Sequence, residues 1–176
     1  MIKKLLLCFF FSLFLLFSHE TRAQYPDATA DNYTRFISFS TNQGLSNAFI
    51  TDILQDKFGF IWVATINGLN KIDGEDVVQY FHHQDDPKSL SDNVITSLAE
   101  DSRGDLWIGT KNGLCRYDRS NNQFIRYTSS EGSKYHLSDN HIRALYADKS
   151  GILWIETLNG GLNCISLLSG NVRYYP

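Results

Sequence analysis

The sequence predicts an all-β chain: a β-propeller of three four-stranded antiparallel blades, an incomplete ring, behind a signal peptide. Three observations carry that prediction. The first is a recurring stretch, DKFGFIWVATINGL at 56–69, DSRGDLWIGTKNGL at 101–114 and DKSGILWIETLNGGL at 148–162. Its tryptophans, Trp62, Trp107 and Trp154, stand 45 and 47 residues apart, within the periods of roughly 20–50 residues that mark propellers, solenoids and arrays. The second is an apolar spacing of two throughout the chain after residue 24, the period of strands rather than helices. The third is punctuation by Asn, Asp, Gly and Ser at short intervals, which leaves no room for a helix of useful length.

At the N-terminus Lys3 and Lys4 precede an apolar run, Leu5 to Phe17, and a polar stretch ending at Ala23. Basic head, apolar run and small residue are the parts of a secretory signal peptide, so residues 1–23 are expected to be removed. The run is short for a bilayer span of ~20 residues, and no second long apolar segment follows. Removal takes away three positive charges and one negative, so the net charge goes from −3 to −5. A mildly acidic chain without a basic patch lacks what phosphate-dominated binding needs, so no nucleic-acid partner is expected. Cys115 and Cys164 then remain, too few for a disulfide scaffold, and a bridge between them is not expected.

Residues 24–31 read as a flexible lead-in. An N-terminal strand is expected within 32–43, because Tyr33–Phe39 alternates large apolar and polar residues; in a full ring it would close the last blade. Blades follow at 44–81, 89–127 and 136–175. Each opens with Leu-Ser (Leu45-Ser46, Leu90-Ser91, Leu137-Ser138) and a short strand. An aspartate closes that strand (Asp56, Asp101, Asp148), and a glycine stands three residues on (Gly59, Gly104, Gly151). Asp-x-x-Gly is turn chemistry: the carboxylate bonds nearby amides and Gly takes a positive φ freely. The same aspartates could suggest a repeating calcium site, but turn formation accounts for them without an ion, and no metal is expected. The Trp-bearing second strand is apolar on both faces, as a sheet covered on both sides requires. Asn67-Gly68, Asn112-Gly113 and Asn159-Gly160 then predict hairpins with a type I′ turn, and third and fourth strands complete each unit.

Four-stranded units at this period are propeller blades. The indoles are expected to fill the gaps between them, and the small residue two positions on, Ala64 or Gly109, to let the next sheet approach. Glu156 stands where Ala64 and Gly109 stand. A carboxylate is expensive to bury without a partner, so it must point into a wet channel or belong to a blade with an open side. Three blades are fewer than a closed propeller uses, so the terminal blades are expected to receive further blades or a partner chain.

No GxSxG, GxxxxGK or HExxH motif occurs, and no cofactor or catalytic constellation is expected. His82-His83 with Asp85-Asp86 reads as a solvated linker. The expected binding surface is the rim where hairpins and linkers emerge together. It would carry Asn67, His82, His83, Lys111, Asn112, Tyr135, His136 and Asn159, with Glu156 a further candidate. Amide, imidazole and aromatic groups there suit the hydroxyls and ring faces of an oligosaccharide.

The stretches GLSNAFITDILQDKFGFIWVATINGLNKIDG and SLSDNVITSLAEDSRGDLWIGTKNGLCRYD resemble the two-component regulator propeller repeat. The resemblance covers residues 32–175 and departs at Glu156, at Ser166 and in blade number. It implies the periplasmic sensor region of a hybrid two-component system of the Bacteroidetes kind, where blades precede an immunoglobulin-like domain, a membrane helix and a histidine kinase, and where many members sense oligosaccharides. The function it implies here is a non-catalytic periplasmic ligand-recognition module, with the kinase carried elsewhere. The alternatives are a protein–protein scaffold and a periplasmic propeller lyase or hydrolase.

Overall fold

The computed structural model describes residues 38–74 and 76–176. The expected signal peptide, lead-in and first half of the expected N-terminal strand lie outside the described residues. Of that strand's remainder, 38–40 have no regular structure and Thr41–Gln43 form one turn of 3-10 helix. A capping box accounts for it: the Ser40 hydroxyl accepts from Asn42 N at 3.1 Å, and Gln43 reaches back to Ser40 N. Gly44 ends the turn at φ 100°.

Three sheets follow. The first holds β1 (Ile50–Gln55), β2 (Ile61–Thr65), β3 (Gly68–Asp73) and β4 (Asp76–Tyr80). The second holds β5 (Ile95–Glu100), β6 (Leu106–Thr110), β7 (Gly113–Asp118) and β8 (Gln123–Tyr127). The third holds β9 (Ile142–Ala147), β10 (Ile152–Thr157), β11 (Leu162–Ser166) and β12 (Val172–Tyr175). Within each sheet the strands pair antiparallel in chain order. Between sheets, β1 lies beside β5 and β5 beside β9, so the blades stand side by side through their first strands.

The Asp-x-x-Gly turn holds each blade together. In blade 1 the Asp56 Oδ1 accepts from Phe58 N and Phe60 N at 3.0 and 3.1 Å, and its Oδ2 accepts from Trp62 Nε1 at 2.8 Å. Asp101 serves Arg103 N, Asp105 N and Trp107 Nε1, the last at 3.0 Å. Asp148 serves Ser150 N, Ile152 N and Trp154 Nε1, the last at 3.1 Å. One carboxylate thus shapes the turn and orients the indole, which accounts for the repeat without an ion.

The indoles then wedge the blades. Trp62 is fully buried with Leu90, Ile95, Leu106, Ile108 and Tyr117 of blade 2. Trp107 is buried with Leu137, Ile142, Leu153 and Ile155 of blade 3. Gly109 gives the close approach expected of it: a Cβ there would lie 2.7 Å from the Ile142 side chain. Trp154 is only half-buried, because no described element lies over its face of blade 3. Glu156 shares that face by strand alternation. It is exposed, 3.4 Å from Arg143 Nη1, so the open-sided blade is the arrangement observed. Cys115 and Cys164 are both free and buried. Cys115 lies opposite Ile108 and Cys164 opposite Trp154, on opposite faces of their sheets.

The hairpin turns differ from the type I′ expectation. Thr65 pairs with Gly68 and Thr110 with Gly113, so the two loop residues are Ile66-Asn67 and Lys111-Asn112. Among the described residues Asn122 is the one non-glycine with positive φ, so neither Asn67 nor Asn112 adopts it. The positive φ falls on the following Gly68 (106°) and Gly113 (119°), one residue later than a type I′ turn places it. The threonine side chain fixes this register. Thr65 Oγ1 accepts from Asn67 N at 3.1 Å and donates to Gly68 O at 2.7 Å. Thr110 does the same at 3.0 and 2.8 Å. In blade 3 the positive φ sits on Gly161, not Gly160, because that loop is a residue longer.

Candidate ligand-binding rim

The hairpin of one blade and the linker entering the next are joined by direct hydrogen bonds. Gly68 N donates to Asn93 O at 2.7 Å, and Gly113 N to Asn140 O at 2.8 Å. The side chains of the same asparagines hold the linkers: Asn93 Oδ1 accepts from His82 N, and Asn140 Oδ1 from Ser129 N, both at 2.7 Å. Hairpins and linkers therefore emerge on one rim. Beneath it each Leu-Ser pair anchors its blade. The leucines are buried, and the serine hydroxyls meet the hairpin threonines, Ser46 to Thr65 at 3.1 Å and Ser91 to Thr110 at 2.9 Å.

The rim brings the predicted residues together in two groups. Beside blade 1, Asn67 is exposed at the hairpin tip, with His82 and His83 on the linker behind it. His82 is half-buried, its Nδ1 2.6 Å from Leu90 O, and His83 is exposed. Beside blade 2, Lys111 and Asn112 are exposed, and Asn112 Oδ1 accepts weakly from Asn140 Nδ2 at 3.4 Å. Asn159 is exposed, yet its amide is engaged within the rim: Asn159 N and Nδ2 both donate to Asp139 Oδ2, at 2.9 and 3.2 Å. The backbone N–H of His141, with those Asn159 donors, holds the Asp139 carboxyl below the usual carboxylate range. His136 is exposed, and its carbonyl accepts from the Tyr174 hydroxyl.

Tyr135 does not belong to the rim. It is 5 % exposed and packs on Tyr127, with ring centroids 4.9 Å apart, and on Trp107 at 6.3 Å. An aromatic ring in a linker gains more from the gap between blades 2 and 3 than from water. Glu156 also lies off the rim, within β10 on the open face of blade 3.

Three residues that organise the rim were not among the expected ones. Asn93 and Asn140 were legible as the last residue of LSDN, which occurs twice in register. Arg126 had no such signal. From β8 it donates to Ser89 O, Asp86 O, Leu90 O and the Ser89 hydroxyl, all within 2.7–2.8 Å, and so shapes the linker that carries His82 and His83.

The rim offers hydrogen-bond donors and acceptors to a polar ligand. The exposed groups are amides, an ammonium and imidazoles, and no group of three or more metal-binding side chains gathers among the described residues. A cleft of about 270 Å³ lies away from the rim, lined by Ile152, Cys164, Ser166 and Arg173 of blade 3 among others.

Comparison with known proteins gives these segments relatives. A family model described as two component regulator propeller matches residues 44–67, 89–112 and 136–157, the opening strands and hairpin of each blade. Histidine kinase P4 of Formosa agariphila is 46% identical over 55 residues, 31% of this chain and 4% of that protein. The extracellular domain of BT4673 from B. thetaiotaomicron, described as a hybrid two component system, is 29% identical with a TM-score of 0.57. The match covers 69% of this chain and 17% of that one. A virginiamycin B lyase from Staphylococcus aureus is 16% identical with a TM-score of 0.53, over 72% of this chain and 40% of that one, a likeness of fold alone. The chain therefore spans a small part of the length of the kinase and of the extracellular domain it matches.

Proposed function

We infer from the match of each blade's opening strands and hairpin to the two component regulator propeller model that the chain is a sensor module of a two-component system. It sits in the periplasm after export. It recognises a soluble oligosaccharide without transforming it, and the signal passes to a histidine kinase region. The observation that carries this reading is the match of all three blades, together with the likeness to the extracellular domain of BT4673. The rim supports the ligand class: exposed Asn67, Lys111 and Asn112 offer donors and acceptors at the spacing of hairpin tips, with His83 and His136 on the adjoining linkers. The lyase reading rests on fold alone and gains no acid–base pair from the rim.

Titration calorimetry of the full chain against a panel of neutral and acidic oligosaccharides tests it. Binding of at least one, weakened about tenfold by Asn112→Ala and unaffected by Tyr135→Phe, is expected; tenfold corresponds to the ~1.4 kcal/mol of one good hydrogen bond. No binding across the panel, or appearance of cleaved products, would contradict it.

A further inference from the structure

The two blade interfaces are built alike, and seating blade 1 of a second copy on the open face of blade 3 would break their pattern at three points. In the first interface Ala64 of blade 1 and Ile95 of blade 2 lie in one buried cluster. In the second, Ile142 of blade 3 presses on Gly109 of blade 2, so closely that a Cβ at Gly109 would lie 2.7 Å from it. Strand pairing puts Ile50, Ile95 and Ile142 at one register, opposite Thr65, Thr110 and Thr157. The receiving position therefore needs a very small residue when the arriving blade brings isoleucine. Blade 3 offers Glu156 there, with its carboxylate 3.4 Å from Arg143 Nη1. Seating isoleucine on that ion pair would strip both charges of water without a new partner.

The second break lies in the first strands. Asp52 Oδ2 accepts from Leu98 N at 2.7 Å, and Ser97 Oγ accepts from Leu145 N at 3.2 Å, so each blade takes an amide of the next. Blade 3 carries Ala144 at that register, opposite Glu156, and has no acceptor to offer. The third break is on the arriving side. The matching amide of blade 1, Ile53 N, is already bonded to its own Asp52 Oδ1 at 2.8 Å. Ile50 itself is 46 % exposed.

We propose that the open face of blade 3 is fitted to a further blade of this repeat carrying a small polar residue at the isoleucine register, and that Glu156 with Arg143 turns away blade 1 of a second copy. The pair acts as a specificity device: it selects the next blade by disfavouring an apolar one, and so disfavours head-to-tail joining of copies. The inference is independent of any ligand at the rim.

Sedimentation velocity of the full chain over a hundredfold concentration range tests it. Wild type is expected to stay monomeric. Glu156→Gly with Ala144→Ser rebuilds the face to the blade 2 pattern and is expected to self-associate through Ile50, with Ile50→Asp reversing the association. Ile50→Ser on the native Glu156 face is expected to associate as well. Circular dichroism checks each fold; should the first rebuilt chain lose its strand signal, Glu156→Ala with Ala144→Asp, the blade 1 pattern, replaces it. A wild-type chain that associates as the variants do overturns the proposal. A folded, monomeric rebuilt chain removes Glu156 as the bar, and a folded, monomeric Ile50→Ser chain removes the polar blade as the occupant.

Discussion

Trp107 and Trp154 hold the same place in successive blades and donate to the same aspartate of their turn, at 3.0 and 3.1 Å. Trp107 is 1 % exposed under blade 3, whereas Trp154 is half-buried, with Tyr175 6.3 Å away as its aromatic neighbour. Tyr146, beside Trp154 on that face, is 64 % exposed. The difference separates two jobs done by one motif. The Asp–Trp hydrogen bond is made within a blade and needs no neighbour. The burial of the indole belongs to the interface and appears only where a neighbour is present.

The largest effect should expose that separation. Trp107→Ala empties a filled gap and is expected to cost about 3–5 kcal/mol. Trp154→Ala removes a half-wet ring and should cost about 1–2 kcal/mol by the same area argument. Urea unfolding of the two variants measures both, and equal losses would break the comparison.

A second contrast uses the small-residue position. Gly109→Val drives a branched side chain into Ile142 and is expected to cost about 1–3 kcal/mol through overpacking. Glu156→Val, on the open face, should change stability by no more than about 0.5 kcal/mol, as surface substitutions do. Thermal unfolding distinguishes them.

The third concerns charge. Arg119 of blade 2 reaches across to Asp56 of blade 1, Nη1 to Oδ2 at 2.9 Å, whereas Leu167 occupies the matching place in blade 3. Burial opposes ionisation of Asp56, but the Trp62 indole and Arg119 outweigh it and lower its pKa. Arg119→Met should therefore cost about 1–2 kcal/mol, with Trp62 still donating. Asp148 needs no such cation: the Ser150 hydroxyl first, then the Ile152 amide, bring it down from 3.8 to about 2. Both folded-state values lie below the unfolded ones. Their contribution is thus complete above about pH 4 and is lost as the pH falls through the folded-state values, about 2 for Asp148. Acid titration of stability should show wild type losing more over that window than Asp148→Asn.

The smallest effect sharpens the repeat itself. Cys115 stands where Asn70 and Asn163 stand, and its sulfur accepts from Ser91 N at 3.3 Å as their Oδ1 atoms accept from Ser46 N and Ser138 N at 2.7 and 2.9 Å. Cys115→Asn should leave stability within about 1 kcal/mol of wild type, checked by the same urea series.

Much of the blade plan was legible because its causes are local. Asp-x-x-Gly turns, period-two strands and a tryptophan at fixed spacing each act within a few residues. Glu156 was legible as a departure for the same reason, since only a repeat makes a single residue conspicuous. The turn type was misplaced because the preceding threonine, not the Asn-Gly pair, decides which residue takes the positive φ. Tyr135 was assigned to the rim because a linker aromatic can face water or a gap, and the sequence does not reveal where the gap lies. Arg126 and Arg119 act across distances that no repeat records: each occurs in one blade alone, and each finds its partners only after the sheets have stacked.

The central claim, covered indoles between blades and an uncovered one at the end, is tested most directly by the three indole N–H signals of the ¹⁵N-labelled full chain. A soluble paramagnetic agent should broaden Trp154 and leave Trp62 and Trp107 sharp. Three indoles bleached alike would mean that the blades do not stack on their tryptophans, and three protected alike would mean that blade 3 has no open face.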